Sequence, residues 1–98
     1  MFVRISTFKF PNQTKADAFS ELYKNTLMEK YIKNTKIIKL FSFRPGEGKV
    51  TGIAFYKSLK DYELTESEIK EEVSNLIKSL DGYVEWQSGE VFSKWEKK

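Results

Sequence analysis

The sequence contains neither cysteine nor histidine. Without cysteine there is no disulfide framework and no thiolate chemistry. Without either residue only carboxylates remain to ligate a transition metal, and these are spread over helix surfaces, so no metal and no cofactor is expected. There is no run of ~18 apolar residues, which predicts no membrane-spanning helix. The opening MFVRISTFKF lacks the basic lead and apolar core of a signal peptide; a soluble, cytoplasmic protein is the expectation. Charge of one sign is scarce as well. The 17 basic and 14 acidic residues are interleaved to a net charge of +3, the pattern of a solvated surface rather than of a polyanion-binding stripe.

What is plentiful is aromatic. Of 98 residues, 15% are aromatic, including eight Phe and five Tyr. A chain of this length is one domain, 1–98, with a modest core. So many rings in so small a core suggest more than one apolar face to cover.

The centre of the chain reads KIIKLFSFR, PGEGK, VTGIAFYK, from Lys36 to Lys57. Two runs rich in Ile, Phe, Val and Tyr flank Pro45, Gly46 and Gly48, a β-hairpin signal in which glycine supplies the positive φ of a tight reversal. PGEGK is not a phosphate-binding loop, because it lacks the GxxxxGK[ST] spacing and joins strand to strand. Before the hairpin, Phe2–Phe10 predicts a strand that Pro11 ends, with Val3, Ile5 and Thr7 on one side and Phe2, Arg4, Ser6, Phe8 and Phe10 on the other. Thr14 to about Lys33 predicts a helix, capped by Thr14 with Asp17, whose stripe is Phe19, Leu22, Tyr23, Thr26, Leu27 and Tyr31. In the hairpin, Ile38, Leu40 and Ser42 oppose Ile37, Lys39, Phe41 and Phe43, and Val50, Gly52, Ala54 and Tyr56 oppose Thr51, Ile53, Phe55 and Lys57. After a connection, Ser58–Leu64, a capping box of Thr65 and Glu68 with a Leu64–Ile69 staple predicts a second helix with the stripe Ile69, Val73, Leu76, Ile77 and Leu80. Asp81-Gly82 stops it. Tyr83–Trp95 predicts the last strand, with a bulge at Ser88-Gly89.

The order β-α-β-β-α-β is the ferredoxin-like α+β fold, a four-stranded antiparallel sheet with both helices on one face. Each strand carries apolar groups on both faces, whereas a sheet with one wet face alternates cleanly. Something must therefore cover the helix-free face, and a second copy of the chain is the expected partner, giving a homodimer through the open sheet.

The whole chain resembles the dimeric α/β-barrel superfamily, in particular its antibiotic-biosynthesis-monooxygenase-like domains. The likeness lies in MFVRISTF, the long first helix, the pair KIIKLFSFR and VTGIAFYKS, the helix after LTESE and the closing EVFSKWE. It implies two sheets packed face to face and a small-molecule pocket between sheet and helices. Members include cofactor-free monooxygenases of polycyclic aromatics, heme-handling proteins, muconolactone isomerases and many domains of unknown function. The heme-handling branches use a histidine ligand that this chain lacks.

Cofactor-free oxygenation needs a protein that orients an acidic phenol and stabilises its anion. The candidates for such a pocket are Arg4, Tyr23, Tyr31, Tyr56 and Trp86. Arg4, on a strand between Phe2 and Phe8, could hold an anion or pair with a glutamate; the tyrosines and tryptophan could line a site or pack amphipathically. A small aromatic ligand fits this reading, a non-catalytic stress-associated or structural dimer is its counterpart, and whether the protein is an enzyme stays open. The RNA-recognition motif shares the topology and reads bases with aromatics on its open sheet face. Its third-strand signature aligns with Lys49–Tyr56, where Thr51 and Ile53 replace the stacking aromatics, so nucleic acid is disfavoured.

Overall fold

The computed structural model describes residues 1–98, the side chain at position 34 excepted. Four strands, β1 (Phe2–Lys9), β2 (Lys39–Phe43), β3 (Lys49–Tyr56) and β4 (Tyr83–Glu90), form one antiparallel sheet in the order β2-β3-β1-β4. The helices are α1 (Gln13–Leu22), continued through a π-helical turn (Tyr23–Leu27) into α2 (Met28–Asn34), and α3 (Leu59–Ser79). This is the ferredoxin-like α+β fold. No helix among the described residues is long and apolar enough to cross a membrane.

Register sorts the strand residues into two faces. On the helix side lie Phe2, Arg4, Ser6 and Phe8 of β1, opposite Tyr56, Ala54, Gly52 and Val50 of β3 and Glu90, Ser88, Trp86 and Val84 of β4. Leu40 and Ser42 pair with Ala54 and Gly52 on the same face. Under the helices Phe19 is wholly buried, its ring centroid 4.7 Å from that of Phe8, 5.1 Å from Phe10 and 5.5 Å from Tyr23. The other face carries Val3, Ile5, Ile53, Phe55, Phe41 and Phe43 with no helix upon it, and Phe41 and Phe43 are each half exposed.

Several local expectations are corrected. The first helix starts one residue earlier than expected, because Asn12 rather than Thr14 caps it, its Oδ1 accepting from Lys15 N–H at 2.9 Å. Nor is that helix regular: the N–H of Met28 donates to Tyr23 O, five residues back. The second helix begins at Leu59, so 58–64 is not a connection. Ser58 Oγ accepts from Asp61 N–H at 3.2 Å and captures the N-terminus about two turns upstream of the Thr65–Glu68 box and its staple. Thr65 instead lies wholly buried within α3 and accepts the N–H of Lys36 at 3.2 Å, which ties the α2–β2 connection to α3. Ile37, before the start of β2, turns into the core with Leu40, and it is Ile38 that is exposed.

At the end of α3 the left-handed residue is Asp81 (φ 57°), not Gly82. Gly82 N–H donates to Ile77 O and Asp81 N–H to Lys78 O, a Schellman closure. Gly82 is required for space, since a Cβ there would lie 2.6 Å from the Phe10 ring. In the hairpin only Gly48 takes positive φ (72°), with a Cβ position 2.9 Å from Phe10 O. β4 pairs with β1 in unbroken register through Ser88 and Gly89, without the expected bulge, and ends at Glu90 rather than Trp95. Beyond it the chain has no regular structure, and Phe92 and Trp95 are 99% and 81% exposed.

Candidate functional site

Between α3 and the helix side of the sheet lies a cavity of about 80 Å³, lined mostly by apolar side chains and by Arg4, Ser6, Tyr23, Tyr31, Glu66 and Trp86. Arg4 enters from the central strand β1, Trp86 from the edge strand β4, and Glu66 from the second turn of α3. Tyr23 and Tyr31 come from the first helix, eight residues apart across the π-helical turn. A π turn widens the helix by one residue per turn and recurs at functional sites. Here it leaves Tyr23, Leu27 and Tyr31 all facing the core. Gly52 floors the site on β3, where an added Cβ would sit 3.1 Å from Tyr23 Oη.

Four of the five candidate residues therefore surround one cavity: Arg4, Tyr23, Tyr31 and Trp86. Tyr56 is not among its lining residues. It is fully buried on β3 and packs edge-on against Tyr62 at 5.4 Å. Trp86 is 46% exposed and, with the exposed Lys70, forms the solvent side of the cavity.

Arg4 takes the pairing that its position on an apolar strand demands. Its Nη1 donates to Glu66 Oε2 at 2.8 Å, and both side chains are largely buried. A cation taken out of water needs such a partner. The pair leaves donors in excess. Arg4 Nε, Tyr31 Oη and Tyr56 Oη are buried and find no partner among the described residues. A buried polar group without a partner costs ~1–3 kcal/mol, so this surplus calls for an acceptor.

Burial pushes the phenols of Tyr23, Tyr31 and Tyr56 up, Tyr56 to about 12. At Tyr31 the negative charge of Glu72 adds to the effect of burial; at Tyr23 the Ser42 hydroxyl and at all three the Arg4 guanidinium work against it. The three tyrosines are thus neutral donors at physiological pH, not bases. Glu66 is the one carboxylate in the cavity wall.

Glu66 is the residue that the sequence reading missed. It stands three residues before Ile69, on the stripe that continues through Val73 and Ile77 and lines the cavity. A carboxylate on an apolar stripe is a recognisable signal, but placing the helix start at Thr65 put Glu66 in a terminal turn, where an acidic residue is unremarked. Among the described residues no group of three or more acidic, histidine or cysteine side chains could hold a metal ion.

No family model matches this sequence, and no curated protein is similar to it at a significant level. Solved structures share its fold. A protein of Deinococcus radiodurans, described as a candidate antibiotic biosynthesis monooxygenase, superimposes with a TM-score of 0.79 over 100% of this chain and 99% of its own, at 10% identity. SnoaB, a cofactor-independent oxygenase from Streptomyces nogalater, gives 0.76 over 98% and 97%, at 9% identity. A dimeric ferredoxin-like protein from an uncultured marine organism gives 0.76 over 99% and 100%, at 13% identity. The fold of this chain is that of dimeric ferredoxin-like proteins and of antibiotic-biosynthesis-monooxygenase-like proteins.

Proposed function

We propose that this chain forms a homodimer through the helix-free faces of its sheets, and that each protomer binds a small aromatic molecule between α3 and the sheet, as a cofactor-independent monooxygenase-like protein. The observation that carries the ligand site is the cavity with a charge pair in its wall and unpartnered buried donors around it. An oxygenase of this kind takes its electrons from the substrate. In the keto tautomer of a hydroquinone, the ring methylene carbon exchanges its two C–H bonds for a C=O bond. One oxygen atom of dioxygen enters that carbonyl, and the other leaves as water with both hydrogens, so no outside reductant is needed. Glu66 accepts the acidic proton, and the Arg4 guanidinium and Tyr31 hydroxyl hold the resulting anion.

The dimer rests on the open face. Ile5, Phe41 and Phe43 there are between 38% and 51% exposed, on a patch continuous with Val3, Ile53 and Phe55. About 800 Å² per partner makes a specific interface, and a sheet face of this kind meets a copy of itself through two-fold symmetry. An RNA-reading sheet places aromatics on the central strands. The central strands here present Val3, Ile5, Thr51 and Ile53 with one aromatic, Phe55, while Phe41 and Phe43 lie on the β2 edge. That distribution favours a protein interface.

Two measurements test the reading. Sedimentation equilibrium at micromolar protein should give twice the chain mass of 11.5 kDa; a monomer at every concentration overturns the dimer. Oxygen uptake should follow addition of a single-ring hydroquinone to chelator-treated protein and disappear in Glu66→Gln. Uptake no faster than without protein would reduce the site to a binding function.

A further inference from the structure

The cavity is small for a fused ring system. Its volume of about 80 Å³ is roughly half of the ~150 Å³ apolar cavity that takes benzene. Most of its wall cannot retreat: Phe8, Tyr23, Tyr31, Ile37, Ile69 and Ile77 are all buried at 8% exposure or less. Close-packed interiors resist such movement. The yielding side is Trp86 on the edge strand together with the exposed Lys70.

The chemistry of the wall is equally selective. Tyr31 is 3% exposed and lines the cavity, and its buried hydroxyl has no partner; Arg4 lines the same cavity, and its buried Nε has none either. Glu66 Oε2 already accepts from Arg4. Lys70 adds a cation at the mouth, so Arg4, Glu66 and Lys70 together carry one net positive charge.

Resting on the proposed small-molecule site, we infer that its ligand is a single-ring oxyanion, an arene carboxylate or phenolate, with its oxygen held by Tyr31 and Arg4 and its ring against Trp86. The charged head fits the closed inner part of the cavity. The flat ring fills the side that opens toward solvent, where the exposed indole offers a stacking face. A second fused ring would have to displace Trp86 and Lys70 from that opening. Burial keeps the Tyr31 phenol protonated, so it donates to the anion rather than repelling it.

The test is a set of 1H–15N NMR titrations with benzoate, benzamide and anthracene-2-carboxylate. Two tryptophans give two indole signals, and Trp95→Phe assigns that of Trp86. Benzoate should shift the Trp86 indole and the Ser6 and Gly52 amides saturably, and bind at least tenfold more tightly than either other probe. Tyr31→Phe, which keeps the ring and the fold, should weaken benzoate about tenfold, as loss of a hydrogen bond to a charged group does. Tighter binding of the three-ring acid would overturn the size limit while leaving the small-molecule site standing. Equal binding of benzamide would overturn the anion. An unchanged constant in Tyr31→Phe would overturn the role of its hydroxyl. Failure of all three probes to shift any cavity resonance would overturn this inference and the aromatic-binding reading together.

Discussion

The two faces of the sheet are made from the same strands and carry similar numbers of apolar groups, yet they differ in what stands among those groups. On the open face the apolar residues neighbour charges that reach water. Lys39 lies 5.0 Å from the Phe41 ring centroid and 6.0 Å from that of Phe55, and Lys9 reaches Glu85 at the β4 edge. Beneath the helices the covered face encloses its polar groups: Arg4 with Glu66, and tyrosine hydroxyls without partners. Snorkelling lysines around an apolar patch suit a surface that another protein can cover. Enclosed donors in excess suit a site that must supply something to an acceptor. Hydrophobic periodicity alone does not separate these two cases; the position of the polar residues does.

The sharpest way to break this contrast is to substitute one phenylalanine on each face. Phe19 is wholly buried against Phe8, Phe10 and Tyr23, so Phe19→Ala should cost ~3–5 kcal/mol of folding stability in urea unfolding. Phe41, half exposed on the open face, should cost the protomer's fold under ~1 kcal/mol when changed to Glu. The same change buries a charge in the proposed interface and should weaken dimerisation at least a hundredfold, about 2.7 kcal/mol, in sedimentation. If Phe41→Glu unfolds the chain, or leaves a dimer intact, the two faces are not divided as described.

A double-mutant cycle on Arg4 and Glu66 tests the enclosed side further. Arg4→Met leaves Glu66 with an uncompensated charge. Because both side chains keep some exposure, 13% and 22%, about 2 kcal/mol of lost stability is expected, less than for a fully buried pair. Arg4→Met with Glu66→Leu should recover most of that loss. A double variant as unstable as the single one would mean that the guanidinium stem, not the charge, does the packing.

Much of this was legible in the sequence. Element order, strand parity around Arg4 and Tyr56, and the helix stripes through Phe19 and Ile69 follow from periods of 2 and 3.6, which burial of one face enforces. What periodicity does not rank is competition between neighbouring caps. Ser58, with Asp61 N–H as its partner, competes with Thr65 and Glu68, and only the downstream box reads as a helix start in the sequence. The upstream pair captures the N-terminus because Thr65 is held by Lys36 N–H, a contact between residues 29 apart in the chain. The Arg4–Glu66 pair spans 62 residues, and no local signal names one glutamate among the several on α3. The π turn at Tyr23–Leu27 also lies within an apparently regular stripe.

The smallest effect at neutral pH belongs to Tyr56, and it separates a structural hydroxyl from a ligand-holding one. Its Oη is buried without a partner and does not line the cavity. Removing an unsatisfied group costs little, so Tyr56→Phe should lie within ~1 kcal/mol of the parent at pH 7. The difference should appear in alkali. Burial raises the Tyr56 phenol from 10.0 to about 12. Between those values the unfolded chain has lost a proton that the folded chain retains. Stability from this group is therefore complete below about pH 10 and is lost as pH rises through the folded value, at up to about 1.4 kcal/mol per pH unit. Urea unfolding of parent and variant at matched protein concentration should show the parent falling faster over that window by this slope, with the lysines and the other tyrosines cancelling in the difference. Parallel pH profiles would place the Tyr56 hydroxyl in contact with water. A loss of benzoate binding in Tyr56→Phe equal to that in Tyr31→Phe would place it in the ligand site.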